Sequence, residues 1–425
     1  MERLLLSKLL AWKDSSTRKP ILLDGARQTG KTHLLKELFG AHFENVVRLD
    51  FLENPDLASI FSGSLTPTDI IDGISLMYGS EIELENTLII FDEIGECQRA
   101  VDSLKFFAEL TPHAFICASG SNIGLLNSFP VGKVLSLELH PLTFEEFLMA
   151  SGNTPLIKAF RRSDFSKIAH DKLFSLLKDY YFVGGMPEAV VAWHTGKDLT
   201  SKIENVTDIH DGLIKGYERD FGKYSNKLSS GHILQVFHNV PKQLANNLDG
   251  SVNRYRFKDV IAKKNRYQEQ CKLVSKCHPI DSKPTSPLVA QAKDNMFKLF
   301  LFDIGLLGHM LGLNYAEQVA QDFDFKGYIA ENFVQNELIA LNGSPTYSWE
   351  TKSNEIEFVI KNEDGSVWPV EVKSGKRTKA KSLSAYIEKY KPEKAIKLIG
   401  SQGCIDEPAL LVLPLYYVSK VFDHQ

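Results

Sequence analysis

Pro20-Ile-Leu-Leu-Asp-Gly-Ala-Arg-Gln-Thr-Gly-Lys-Thr-His-Leu-Leu35 sets a complete GxxxxGK[ST] loop between an apolar strand and the start of a helix. Gly25 and Gly30 let the backbone curl, so that the N–H groups of the stretch Gly25, Ala26, Gln28, Thr29, Gly30, Lys31, Thr32 and His33 face a polyphosphate. The helix that follows adds its positive N-terminal end. Lys31 is placed to reach the β- and γ-phosphates and the Thr32 hydroxyl to sit on Mg²⁺. A chance glycine turn is the alternative, and the correct flanks on both sides argue against it. The chain is expected to bind a nucleoside triphosphate.

About sixty residues on, Thr87-Leu-Ile-Ile-Phe-Asp-Glu93 is an apolar run ending in two carboxylates, the pattern of a buried parallel strand. Asp92 is expected to hold the Mg²⁺ shell and Glu93 to polarise a water for attack on the γ-phosphate. GTPases of the Ras type lack the second carboxylate, which favours ATP. Strand and helix then alternate: Val46 to Phe51, Thr68 to Met77, Asp102 to Leu110, Ala114 to Ser119 and Val134 to Leu139. That rhythm predicts a parallel sheet with crossover helices and a ligand at the carboxyl ends of the strands. Ser119, Gly120, Ser121 and Asn122 follow the Ala114 strand. Ser121 or Asn122 fits a sensor of the γ-phosphate, and small polar residues fit an ordinary turn equally well.

Composition bounds the rest. With 425 residues and 43% hydrophobic content the chain has room for two or three domains with ordinary cores. A formal charge of −4 excludes a globally basic nucleic-acid protein but not local basic patches. Cys97, Cys117, Cys271, Cys277 and Cys404 form no CxxC pair, which predicts a reduced, cytoplasmic protein without a zinc site. No apolar run approaches the roughly twenty residues that span a bilayer. Met1 to Trp12, with Leu4-Leu5-Leu6 interrupted by Lys8, reads as a docked helix and not a leader.

After Leu139 the pattern becomes helical. Thr143, with Glu146 three residues later, forms a capping box, and periodic segments follow at Lys167 to Phe182 and Leu199 to Tyr217, separated by Val183-Gly-Gly-Met-Pro-Glu188. From Arg254 to Lys276 eight Lys/Arg face two acids, with Tyr255, Phe257 and Tyr267 interleaved: a nucleic-acid surface or a solvated helical face. Phe297 to Leu307 reads as a strand-to-helix corner and Gly327 to Leu338 as a helix carrying Glu331 and Asn332. Two strands come next, one at Glu355 to Ile360 and one at Val367 to Gly375. Alternation puts Glu371 and Lys373 on one face of their strand. Lys376, Arg377, Lys379 and Lys381 follow closely, as a phosphate-contacting run or a solvated loop.

The phosphate loop, the acid-ended strand, the polar segment after it, Leu139-His-Pro-Leu-Thr-Phe-Glu-Glu-Phe147, the Gly-Gly-Met-Pro turn and the C-terminal blocks together resemble bacterial and archaeal AAA+-like ATPases. Those proteins carry a C-terminal domain of unknown function with a restriction-endonuclease-like fold. The resemblance spans nearly the whole chain. It implies an α/β protein with a P-loop parallel sheet over residues 1–140, a helical lid over 141–225, a winged-helix-like connector over 226–290 and a nuclease-like α/β domain over 291–425. A linker is expected around Asp281 to Pro287. The resemblance makes Gly185 and Pro187 a lid motif, with Pro187 near the adenine. Relatives usually have Gly-Arg at Gly132-Lys133 and Asp at Glu357; Arg219 is another candidate arginine, or a helix-surface ion pair. Glu331, Glu357, Glu371 and Lys373 match a Mg²⁺-dependent nuclease constellation, in which carboxylates hold the metal and the lysine steadies a water. Three functions follow: an ATP-driven switch or remodeller acting on DNA or a protein partner, an ATP-regulated nuclease, or a slow-turnover signalling ATPase that assembles into oligomers.

Overall fold

Thr87–Asp92 is apolar at successive positions because both its faces are covered: Ile89 and Phe91 pack into one core cluster, Leu88 and Ile90 into another. The computed structural model that shows this describes the backbone of all residues except 122–129, 224–226, 246–271, 294–295, 321–325, 344, 375–380, 404 and 425. It divides into two units, Met1–His140 and Pro141–Gln425.

The first unit opens with α1 (Leu5–Asp14) and β1 (Ile21–Asp24). A short α2 (Lys31–His33) leads directly into a π-helical turn over Leu34–Phe39. Then come β2 (Asn45–Asp50), α3 (Pro67–Tyr78), β3 (Thr87–Asp92), α4 (Gln98–Leu110), β4 (Phe115–Ser119) and β5 (Leu135–Glu138). The five strands are all parallel in the order β2-β3-β4-β1-β5. The carboxyl ends of β1 and β3 therefore flank that of β4, and the loops leaving them meet at one edge of the sheet. Local sequence fixes the helix ends. Thr66 caps α3 by accepting from Asp69 N, Pro67 supplies a preset φ at its first turn, and Gly79 ends it at φ 71°.

The second unit begins with six helices: α5 (Phe144–Ala150), α6 (Thr154–Arg161), α7 (Lys167–Val183), α8 (Pro187–Thr195), α9 (Leu199–Lys223) and α10 (Lys227–Ala245). The Thr143–Glu146 capping box is formed at α5. After β6 (Val274–Ile280) and β7 (Lys298–Leu301) come α11 (Ile304–Met310), α12 (Tyr315–Val319) and α13 (Lys326–Asn342). Next come β8 (Thr346–Glu350), β9 (Glu355–Lys361), β10 (Val367–Lys373), α14 (Lys381–Tyr390), β11 (Ala395–Ile399), β12 (Ile405–Glu407) and β13 (Leu410–Pro414), followed by a kinked 3-10 segment over Leu415–His424. These strands form one mixed sheet, β12-β13-β11-β10-β9-β8-β6-β7.

That sheet moves a boundary. β6 pairs with β8 in parallel and with β7 in antiparallel register, so it lies inside the C-terminal sheet, which starts before Gln291. Asp281 to Pro287 is accordingly part of a loop within the sheet, closed by Thr285 N and the Lys283 carbonyl on the Gln291 amide. Most of the basic, aromatic stretch after Arg254, and Lys376, Arg377 and Lys379, lie outside the described residues, as do Asn122, Cys271 and Cys404.

Candidate nucleotide site and a second charged cluster

The loop after β1 turns where only glycine fits. Gly25 has φ 149° and a Cβ there would overlap the Leu139 carbonyl oxygen, while Gly30 at φ 91° sets the entry to α2. Gln28 also has a positive φ, 67°. Thr29 is fully buried, with Oγ1 donating to the Ala26 carbonyl at 2.9 Å. Arg3, 7% exposed, donates to the Thr29 carbonyl at 2.8 Å and to the His140 carbonyl at 2.6 Å, bracing the loop from behind. His33 is exposed.

Lys31 is 7% exposed and its ammonium donates to the Gly25 and Ala26 carbonyls at 2.9 and 2.8 Å. Burial lowers its pKa, against the opposing pull of Glu93, Asp24 and Asp92. Thr32 Oγ1 donates to Asp92 Oδ2 at 2.9 Å, which joins the loop after β1 to the end of β3. The other Asp92 oxygen accepts the Ser119 hydroxyl and, at 3.2 Å, the Glu93 N–H. Glu93 sits at φ 48°, an uncommon left-handed conformation for a residue with a side chain. Burial raises its carboxyl, Lys31 pulls it down, and Asp92 raises it again. Ser121 is buried and accepts from Arg27 Nε at 3.3 Å, so this loop residue and the strand-end polar segment are in contact.

The hydroxyl of Thr32 and the carboxylate of Asp92 are hard oxygen donors converging on one point. They fit Mg²⁺, which is commonly held by one or two protein oxygens plus phosphates. Sequence reasoning missed four residues here: Arg3, Arg27, Ser119 as an Asp92 partner, and Arg48. Arg48 and Asp50 stand two apart on β2, hence on one face, and a charged pair inside an apolar strand is the signal that could have found them. Lys133 pairs with Glu109 at 2.8 Å on the surface of this unit.

In the second unit Gly184 (φ 71°) and Gly185 are demanded by packing: a Cβ on the first would overlap the Asp303 carboxylate, and one on the second the Leu142 carbonyl. Asp303 accepts from Gly185 N at 2.7 Å and caps α11 through Leu306 N at 2.9 Å. Pro187 opens α8, and Arg219 is exposed on α9.

Glu331 on α13, Glu357 on β9 and Glu371 with Lys373 on β10 belong to one electrostatic cluster. Lys373 Nζ lies 3.2 Å from Glu357 Oε1 and 2.6 Å from Glu371 Oε1, and the second Glu357 oxygen accepts from Val372 N at 3.0 Å. A further lysine enters from β7. Lys298, 5% exposed, forms a close ion pair with Glu355 and stands 3.6 Å from Glu331. Burial works to lower the Lys298 ammonium, yet Glu331, Glu355 and Glu357 together hold it above the ordinary lysine range. Burial pushes Glu331 up to about 7 and Glu371 up to about 8.

The metal implied for this cluster by the family resemblance does not fit. Lys373 lies against Glu357 and Glu371 and Lys298 against Glu331, so each acid already has an ammonium partner, and among the described residues no three Asp, Glu, His or Cys side chains group as a metal set. Lys298 announces itself in the sequence only as a lone charge inside Phe297-Lys-Leu-Phe-Leu-Phe302.

A parallel sheet with a phosphate loop after one strand and an acid pair after its second neighbour defines a P-loop nucleotide-binding region. A family model described as an AAA domain matches residues 17–148. Two others, each described as a domain of unknown function (DUF8612 and DUF4143), match residues 175–317 and 326–417. No curated protein matches the chain. The N-terminal region is thus an AAA-like P-loop region, and neither description of the remaining chain names an activity. No helix among the described residues is long and apolar enough to cross a membrane.

Proposed function

We propose that the protein binds and hydrolyses ATP in its N-terminal unit and uses that cycle as a switch or remodelling drive on a DNA or protein partner engaged by its C-terminal module. The observation that carries the reading is the 2.9 Å bond from Thr32 to Asp92, with Lys31 and Glu93 beside it. Lys31 exchanges its two carbonyl partners for β- and γ-phosphate oxygens, and the backbone N–H groups of Gly25 to Lys31 take the remaining charge. Thr32 and Asp92 would hold Mg²⁺, which when bound draws charge from the phosphates. Glu93 holds the attacking water and takes its proton as the oxygen bonds to the γ-phosphorus. The bond from that phosphorus to the β–γ bridging oxygen breaks, and ADP departs with the electron pair. A carboxyl raised by burial is a stronger base for this step than a solvated one.

The test measures ATP turnover with and without duplex DNA in wild type, Lys31→Ala and Glu93→Gln. Wild type should turn over ATP, Lys31→Ala should fail to bind it, and Glu93→Gln should bind without turning over. Equal loss of binding in both variants would sink the assignment of roles. DNA-stimulated turnover supports a DNA partner, and indifference to DNA favours a protein one.

A further inference from the structure

Arg48 lies within β2 and turns its guanidinium onto carboxylates. Nε donates to Asp92 Oδ2 at 2.7 Å, and Nη2 meets the same oxygen at 2.7 Å. Nη2 also bonds Asp50 closely, and Nη1 stands 3.7 Å from Glu53. The Asp92 oxygen that receives the Thr32 hydroxyl therefore already faces a guanidinium, shared with Asp50. Asp92 is 2% exposed, and a carboxylate so buried gains from a cation held directly against it. Asp50 is itself fixed, its other oxygen accepting Leu52 N at 3.0 Å and Glu53 N at 2.9 Å. Tyr78 donates to the Arg48 carbonyl at 2.7 Å and pins the strand at that point.

We propose that Arg48 is the resident counter-cation of Asp92, a positioning residue that competes with Mg²⁺ for Asp92 Oδ2 and shifts its charge toward Asp50 when the metal is held. This rests on the nucleotide reading above. A guanidinium and a dication on one carboxylate oxygen repel each other, so each metal-loading event works against Arg48. Nucleotide without metal engages Lys31 and the loop amides, a set that does not include Asp92. Arg48 therefore sets the metal requirement of binding and not the affinity for the bare nucleotide. It also holds Asp92 Oδ2 beside the Thr32 hydroxyl between cycles.

The experiment titrates Mg²⁺ into the full-length protein holding a fluorescent ATP analogue, with a parallel arm in EDTA. Arg48→Met should lower the Mg²⁺ half-point by about fivefold, the scale expected for removing one partly exposed charge. Its affinity in EDTA should stay within about twofold of wild type, the spread of a change that touches no phosphate contact. Asp50→Asn, which leaves the guanidinium wholly on Asp92, should move the half-point the other way. If Arg48→Met does not fold, the Asp50→Asn direction alone decides. An unchanged or raised half-point in Arg48→Met, or an equal loss of affinity in both arms, overturns the role of Arg48. Analogue binding that survives Lys31→Ala overturns the nucleotide reading instead.

Discussion

The two charged centres of this chain use the same parts, strand-end acids and a lysine, and close them differently. In the N-terminal unit Lys31 donates to two neutral carbonyls, so its charge is held in place without being cancelled by direct contact. In the C-terminal unit Lys373 straddles Glu357 and Glu371, and Lys298 lies between Glu331 and Glu355, so each ammonium is cancelled where it stands. A centre built for a diffusible anion keeps a cation anchored by dipoles. A centre built to tie elements together spends its cations on its own acids. The same contrast separates Asp92, whose partners include two hydroxyls, from Glu371, which is held by the Lys373 ammonium.

The hardest blow to this contrast comes from the two lysines. Lys31→Ala should weaken ATP binding by at least about a hundredfold, since a direct phosphate contact is lost, while the unfolding free energy changes by no more than about 1 kcal/mol. Glu93→Gln should keep binding and lose turnover by about 10²- to 10⁴-fold, measured as single-turnover hydrolysis. Lys298→Met should do the reverse. It leaves ATP affinity alone and costs about 3 kcal/mol in denaturant unfolding, because two acids lose a buried partner. A Lys298→Met protein as stable as wild type would remove the structural half of the comparison.

Much of the first unit is legible in sequence because its chemistry is local. The Pro20–Leu35 stretch holds strand, loop, lysine and hydroxyl in sixteen consecutive residues, and Thr87–Glu93 needs only its apolar run and two acids. Arg48 escapes because its partner Asp92 is 44 residues distant and becomes a neighbour only through the register Asp50↔Asp92. The second unit is harder throughout. Its Glu371 and Lys373 are readable by alternation, but Lys298 meets Glu355 across 57 residues, and β6 joins the sheet from a stretch whose composition reads as a connector. The Gly-Gly turn was legible as a turn; that Gly185 N donates to the Asp303 carboxylate depends on a residue 118 positions away.

A smaller effect separates the units by pH. In the second unit burial raises Asp303 to about 6, Glu331 to about 7, and Glu337 and Glu371 to about 8. The folded form thus holds protons that the unfolded chain has released. The stabilisation these groups give is complete below the ordinary carboxyl range, near pH 4, and is lost as pH rises through about 6 to 8. Thermal unfolding of the full-length protein should therefore move to lower temperature between pH 5 and pH 8.5. Glu337 accepts from Phe144 N at 2.8 Å, a bond the amide oxygen of glutamine can also accept, so Glu337→Gln should flatten the profile without lowering stability at pH 5. A wild-type curve that rises across this interval would mean that these carboxyls are charged in the folded protein.

The smallest expected effect is none at all, and it sharpens the comparison most. In a Lys31→Ala, Asp92→Asn background, where the N-terminal centre can no longer hold metal with nucleotide, Mn²⁺ in place of EDTA should leave the melting temperature within about 1 °C, because only a ligand that prefers the folded state moves it. The feature most open to challenge is Glu371 Oε2, which is buried with no hydrogen-bond partner among the described residues. A metal would satisfy it, and so would a proton shared with Glu357, since burial and the Glu357 charge raise the Glu371 carboxyl. The added change Lys298→Met decides between them. With the resident ammonium gone, Glu331 and Glu355 lack a cation, and Mn²⁺ should now raise the melting temperature of the variant while leaving its parent unmoved. A Mn²⁺-dependent rise already present in the parent and lost in Glu371→Gln would show that the lysines share this centre with a metal, and the two centres would then differ in degree and not in kind.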